Sequence, residues 1–196
     1  MELLLIRHAR PEREENSDGR AADPPLAASG REQAQALARW LAAEALDAIY
    51  ASPLRRALET AEPLLERRAL ELRVQEGLAE YDRGESRYIP LEEQKRQDPA
   101  ACRDFASRGP YAGRDLQPFR SAVARAVEEI ARAHPGGRVA LVCHGGVINA
   151  WAAEVLGLEG TIFFEPAYTS VSRFLVARDG ARGVKSLNET AHLRES

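Results

Sequence analysis

The sequence predicts an α/β protein, a three-layer α/β/α sandwich around a mostly parallel central sheet. Two apolar runs carry the prediction: "LLLI" at 3–6 and "VALVC" at 139–143. Each is too continuous for a half-exposed strand, and each ends at once in a polar turn. Segments of helical spacing alternate with short β-type runs between them, and the last β-type runs are joined by a turn tight enough for antiparallel pairing.

The elements follow in order. After the first strand, a loop from Pro11 to Ala28 is rich in charge, Gly and Pro. Ser29 and Glu32 then read as an S-x-x-E capping box, and Ala34, Leu37, Ala38 and Leu41 repeat at helical spacing, which predicts a helix from about Gly30 to Glu44. "DAIYA" (47–51) is a short strand. It runs into a second helix with Ser52 as cap and Pro53 at its first position. "LELRVQ" (70–75) reads as a third strand.

The stretch from about 77 to 118 is less regular. It reads as an excursion over one end of the sheet, with a helix from Pro90 and another near Asp98-Pro99. A stronger helix carries Phe119, Val123, Val127 and Ile130 along one stripe, and Pro135-Gly136-Gly137 stops it. The second apolar strand ends in His144-Gly145-Gly146 and passes directly into a helix. "TIFFEPA" and "SVSRFLVA" read as strands, and Asp179-Gly180 turns the chain into "GVKSLN".

Composition narrows the function. The 196 residues fit a single domain, 1–196, with the 77–118 excursion, and 44% hydrophobic content is ordinary for a globular chain. With 27 basic and 30 acidic residues the net charge is −3, so no global field favours nucleic acid or an anionic membrane, and attraction for an anion has to be local. Cys102 and Cys143 have neither metal-ligand spacing nor a disulfide framework, which points to the cytoplasm. The first apolar run is too short for a signal-peptide core, and no stretch approaches the ~20 apolar residues of a membrane span. A homodimer is left open.

In open α/β sheets ligands bind at the carboxyl ends of strands. A parallel arrangement brings Arg7, His8, Arg55 or Arg56, Glu80 and His144 to one such edge. Guanidinium forks match phosphate oxygens bidentately, and two imidazoles with helix N-termini after Ser52 and His144 complete a site for a small dianion. Glu80 is the carboxyl among these cations and a candidate proton donor, with Asp82 and Glu85 as competitors. No metal-ligand spacing appears, no cofactor is implied, and the G-x-x-x-x-G-K-[ST] phosphate loop is absent. His134, at a helix end, and His192, in a polar tail, read as structural, as does Cys143. Tyr81, Arg83, Tyr88 and Tyr111 are candidates for a specificity wall.

The pieces "LLLIRHA", "DPPLAASGREQAQALA", "SPLRRALETA", "GLAEYDRGE" and "LVCHGGVINA" together resemble the histidine phosphatase superfamily, also called phosphoglycerate-mutase-like. The resemblance covers most of the chain in the family's order, and it implies that family's fold. The R-H-G motif falls on Arg7-His8-Ala9, which makes His8 the nucleophile. The second arginine falls on Arg56 and not Arg55, the second histidine on His144, and the acid on Glu80. Substrate binding then rests on Arg7, Arg56 and His144, with Arg10 and Gly145 beside them.

Three departures stand out. Ala9 replaces a usual Gly, Arg10 replaces a usual Glu or Gln and is expected to make the pocket mouth more cationic, and the usual Asn after the nucleophile is shifted, with Asn16 nearest. The implied reaction is metal-independent hydrolysis of small phosphorylated metabolites through a phosphohistidine. A mutase of the same family and a non-catalytic phosphate-binding module are the other readings.

Overall fold

The computed structural model describes residues 1–66, 68–97 and 113–194. Eight strands and five helices are found among them, in the order β1 (Glu2–Arg7), β2 (Glu14–Glu15), α1 (Ala28–Trp40), β3 (Ala48–Ala51), α2 (Arg55–Leu65), β4 (Leu72–Val74), β5 (Arg87–Tyr88), α3 (Leu91–Gln97), α4 (Gln117–Ala133), β6 (Arg138–Cys143), α5 (Gly145–Leu156), β7 (Val171–Val176) and β8 (Arg182–Glu189). The central sheet runs β4-β3-β6-β1-β7-β8. β4, β3, β6 and β1 are mutually parallel; β7 and β8 are antiparallel additions on one side.

The continuous apolar runs are explained by cover on both faces. Leu3 and Leu5 pack with Val139 and Leu141 against Val123, Val127 and Ile130 of α4 and Val147 and Trp151 of α5. Leu4 and Ile6 point the other way, against Leu37 and Ala38 of α1 and Ala57, Ala61 and Leu64 of α2. A two-residue period with both faces buried gives apolar residues at every position. Each such side chain contributes about 1.5–3 kcal/mol by leaving water. This double burial fixes the register on which the site depends.

That register sets the strand ends level. Arg7 of β1 lies opposite Cys143 of β6, and Ala51 of β3 opposite Val142. One residue further on, His8 N donates to Cys143 O (2.8 Å) and Ser52 N to Val142 O (2.9 Å). The segments beginning at His8, Ser52 and His144 therefore emerge side by side from one sheet edge.

Several local expectations are corrected. α1 begins at Ala28 and ends at Trp40, and its N-cap is Ala27 with no side-chain cap, so Ser29 and Glu32 form no capping box. The entry is set by backbone instead: Ala27 N donates to Arg10 O (3.0 Å), and Leu26 bridges Pro11, which places Ser29 already inside the first turn. α2 likewise starts from Leu54, later than Ser52-Pro53 suggests. "TIFFEPA" is not a strand. Asn149 replaces a sheet partner there: its Oδ1 accepts from Phe163 N and Phe164 N, and its Nδ2 donates to Phe164 O. The helix expected from Pro90 is α3; the one expected near Asp98-Pro99 lies outside the described residues. β2 pairs with β5 in a separate two-stranded ribbon.

Candidate active site

His8 sits just past β1 and is buried. Its Nδ1 lies 2.8 Å from Ala9 O. A carbonyl can only accept, so the proton sits on Nδ1 and the lone pair on Nε2. Burial holds this imidazole well below its ordinary range, reinforced by the neighbouring Arg56 and Arg7 cations. The backbone around it is pinned from both sides. Ala9 N donates to Thr60 Oγ1 (2.9 Å), and Thr169 N donates to Arg7 O (3.1 Å). Ala9 is not among the positive-φ residues, so its methyl is accommodated where a glycine is usual.

The two guanidinium groups are positioned by different means. Arg7 Nη1 donates to Pro166 O (2.5 Å), and its guanidinium lies 4.0 Å over the Tyr168 ring. Arg56, 1% exposed, donates to Asp82 Oδ1 (3.3 Å) and lies 4.6 Å over Tyr88. Arg55 faces outward and pairs with Glu59. His144, the N-cap of α5, packs with its ring 5.1 Å from that of His8. Its Nε2 shares a 2.7 Å hydrogen bond with Ser52 Oγ. Ser52 thus serves the histidine, and its Oγ also accepts from Leu54 N (3.2 Å), the N-cap residue of α2. Among the described residues Arg56 Nε and His144 Nδ1 are buried without a hydrogen-bond partner. Buried donors left in this way suit an anion that would satisfy them.

Arg7, His8, Arg56, Glu80, Asp82 and Tyr88 line a hollow of about 130 Å³, and Gly145 is on its wall. His144, expected among the substrate contacts, does not line it; its ring packs against that of His8. Glu80 is buried; its Oε2 accepts from Gly146 N (2.8 Å) and its Oε1 from Tyr81 N (3.0 Å). Burial pushes its carboxyl up to about 7, helped by the neighbouring Asp82 and opposed by the two backbone donors and Arg56. Gly146 is required for this contact, because a Cβ there would stand 2.2 Å from Glu80 Oε1. Of the competing carboxyls, Glu85 is tied to Arg114 and Asp82 to Arg56.

Arg10 is a correction. Its Nε lies 2.7 Å from Glu92 Oε1 and its Nη2 3.6 Å from Glu93 Oε1, and it does not line the hollow. Asn16, the nearest asparagine after the nucleophile, binds Glu14 and the carbonyls of Arg20 and Ala21 through its amide. Of the proposed wall, Tyr81 and Tyr88 line the hollow, Arg83 pairs with Glu76, and Tyr111 lies outside the described residues. His134 bonds Tyr50 and His192 stacks on Trp40, both away from the hollow. Sequence reasoning missed Tyr168, Thr60, Ser52 as a histidine partner and Thr169. Thr169 holds a positive φ of 55° that no sequence pattern marks.

A neutral histidine at a sheet edge, two buried arginines and a protonatable carboxyl define an anion site of the kind that transfers phosphoryl groups. The chain belongs to the histidine phosphatase superfamily (branch 1), whose family model matches residues 3–190. It is 31% identical to phosphoserine phosphatase 1 of Hydrogenobacter thermophilus over 204 residues, covering 100% of this chain and 95% of that protein. It is 32% identical to the adenosylcobalamin/alpha-ribazole phosphatase of Escherichia coli, covering 81% and 80%. Among solved structures, mycobacterial glucosyl-3-phosphoglycerate phosphatase with VO3 superposes with a TM-score of 0.76 at 25% identity, over 96% of this chain and 99% of that one.

Proposed function

We propose that this protein hydrolyses small phosphate monoesters without a metal, by way of a phosphoryl group held on His8. Phosphomonoesterase activity is what the family and the relatives named above support. The observation that carries the mechanism is the His8 tautomer: Nδ1–H donates to Ala9 O and leaves Nε2 with its lone pair beside the hollow.

In the first step the ester phosphate lies in the hollow beside Arg7 and Arg56, which donate to its non-bridging oxygens, with His144 packed against His8. His8 Nε2 attacks phosphorus in line, the P–O bond to the leaving group breaks, and Glu80 gives its proton to the departing oxygen. In the second step Glu80, now a carboxylate, takes a proton from water as that water attacks phosphorus. The P–N bond breaks and phosphate leaves, with His8 and Glu80 restored. The guanidinium groups supply the charge stabilisation that a metal supplies elsewhere.

His8 stays neutral well below its ordinary range and Glu80 stays protonated up to about 7, so the reading is of an acid-type phosphatase, active on the acid side of neutrality. Its partner is a small phosphorylated substrate, and its proposed location is the cytoplasm; among the described residues no helix is long and apolar enough to cross a membrane. Hydrolysis is favoured over a mutase because the cation on the wall, Arg87, is already engaged with Glu15, as Lys95 is with the wall residue Glu165. The test is a panel of phosphorylated metabolites scored by phosphate release without added metal, with acid-labile label sought on His8. Phosphoglycerate interconversion primed by a bisphosphate, with no net release, would replace this reading by the mutase one.

A further inference from the structure

Two carboxyl groups, Glu80 and Asp82, line the same hollow and share one nearby guanidinium. Two overlapping turns hold them there, with Arg83 N donating to Glu80 O (3.1 Å) and Glu85 N to Asp82 O (3.0 Å). We infer that Asp82 is a positioning residue for the hydrolysis: seated on Arg56, its carboxylate fixes that guanidinium and keeps the proton on Glu80. The inference rests on the reading of Glu80 as the acid and assigns its neighbour a separate task.

The partners decide which of the two holds the proton. Asp82 Oδ1 meets a cationic donor, Arg56 Nη2, at 3.3 Å. Glu80 meets only neutral backbone donors, from Gly146 and Tyr81. Burial raises both carboxyls, but only Asp82 of the two bonds a cation, and such contact favours the ionised form, so Asp82 is the anion and Glu80 the acid. Adjacent carboxyls in one site resist double ionisation, and the charge on Asp82 therefore holds Glu80 neutral.

The other groups facing this pair do not supply that charge. Arg56, from α2, opposes it. Glu85, paired with Arg114, acts on Asp82 and not on Glu80. The phenols of Tyr81 and Tyr88 and the thiol of Cys143, at the end of β6, are pushed up by burial and remain uncharged. Glu165, on the same wall, is paired with Lys95, and Asp23 lies 4.0 Å from Arg56 Nη1; Asp82 is the carboxylate that acts on Glu80. Burial first, and this charge after it, keep protonated a donor whose two backbone N–H bonds alone would favour the carboxylate.

The experiment compares wild type with Asp82→Asn, measuring kcat/KM against pH for an alkyl phosphate and for p-nitrophenyl phosphate. With Asp82→Asn the basic limb for the alkyl ester moves to lower pH, giving a loss of roughly tenfold above the limb. The profile for nitrophenyl phosphate, whose leaving group needs no proton, keeps its limb. Asp82→Glu moves the alkyl limb back toward wild type. Asp82→Ser, read in the same way, covers the case in which the asparagine variant fails to fold. An alkyl limb that does not move, or an equal loss at every pH for both esters, would confine Asp82 to holding Arg56 and overturn the inference. A wild type that releases no phosphate would remove the hydrolytic reading and this inference together, whereas an active wild type with an unmoved limb removes only the latter.

Discussion

The imidazoles of His8 and His144 stand 5.1 Å apart, ring to ring, at an interplanar angle of 57°, between two buried arginines. Both rings are held well below their ordinary range, first by burial and then by the nearby arginines. In the proposed reaction His8 offers the lone pair, with His144, bonded to Ser52, packed against it. His8→Ala removes the lone pair and is expected to lower turnover by about 10⁴-fold or more, as losses of catalytic nucleophiles do. Phosphate release at a near-normal rate from this variant would remove the nucleophile assignment.

Glu80 is expected to matter in proportion to the basicity of the leaving group. Glu80→Gln keeps the shape and loses the proton, so it slows alkyl phosphates most and nitrophenyl phosphate least. The typical contribution of a positioned acid is 10²–10⁴-fold. The two esters compared side by side give the answer, and equal losses would transfer the role to Asp82 or Glu85.

The pH dependence has a definite sign. Activity needs Glu80 protonated and His8 neutral, so kcat/KM falls as pH rises through about 7 and falls again only well below 6.5. Stability follows the same groups. A raised carboxyl stabilises the folded state fully below its ordinary value of 4.5 and loses that contribution as pH rises through about 7. The depressed histidines act oppositely, contributing above 6.5 and losing that contribution as pH falls. Melting temperatures of wild type and Glu80→Gln should lie closest near pH 4.5 and separate toward pH 7, with wild type losing stability relative to the variant as pH rises. A flat difference across that window contradicts the buried acid.

Two glycines separate function from folding. A Cβ at Gly146 would meet Glu80 Oε1 at 2.2 Å, the far end of a flexible side chain, so Gly146→Ala is expected to displace the acid at a cost of about 1 kcal/mol or less in stability. Alkyl phosphate turnover should fall while the melting temperature moves little. A Cβ at Gly30 would meet the backbone of Arg10, with its carbonyl oxygen at 2.0 Å, and backbone cannot give way. Gly30→Ala should cost about 3 kcal/mol or more, read by denaturant unfolding. Equal stabilities for the two variants would contradict this division.

Arg56 and Arg10 should respond in opposite ways. Arg56→Lys replaces a buried fork by a point charge and is expected to raise KM and lower kcat/KM by about tenfold or more. Arg10→Gln breaks an ion pair with both side chains about a third exposed, worth ~0–1 kcal/mol, and should leave kcat/KM within about threefold. A large effect at Arg10 would show that its expected place at the pocket mouth was right after all.

Much of this site was legible in the chain before folding. An apolar run that ends at Arg7-His8, and a second that ends at His144-Gly145-Gly146, mark strand ends, and parallel pairing follows from their burial on both faces. The choice of Arg56 over Arg55 came from the family pattern, and burial agrees with it. The failures share a cause. Ser29, Ser52 and "TIFFEPA" were read from short-range preference, and each was decided by a distant partner: Arg10 O at the entry of α1, His144 for Ser52, and Asn149 for 163–164. Arg10 looked like a substrate contact because its position follows the nucleophile, while the acidic residues that claim it lie on α3.

The chain by itself determined which groups could do chemistry and that they would come to one edge, because hydrophobic period and strand register are local properties of sequence. What only the tertiary structure decided was protonation and aim. The acid proposed at Glu80, bonded by Gly146 N, and the guanidinium seated on Asp82 depend on burial and on partners distant in sequence, whereas the His8 proton is directed by its neighbour Ala9 O in a buried setting. Electrostatic energies in a low-dielectric interior are set by distance through space, and no local pattern records that distance.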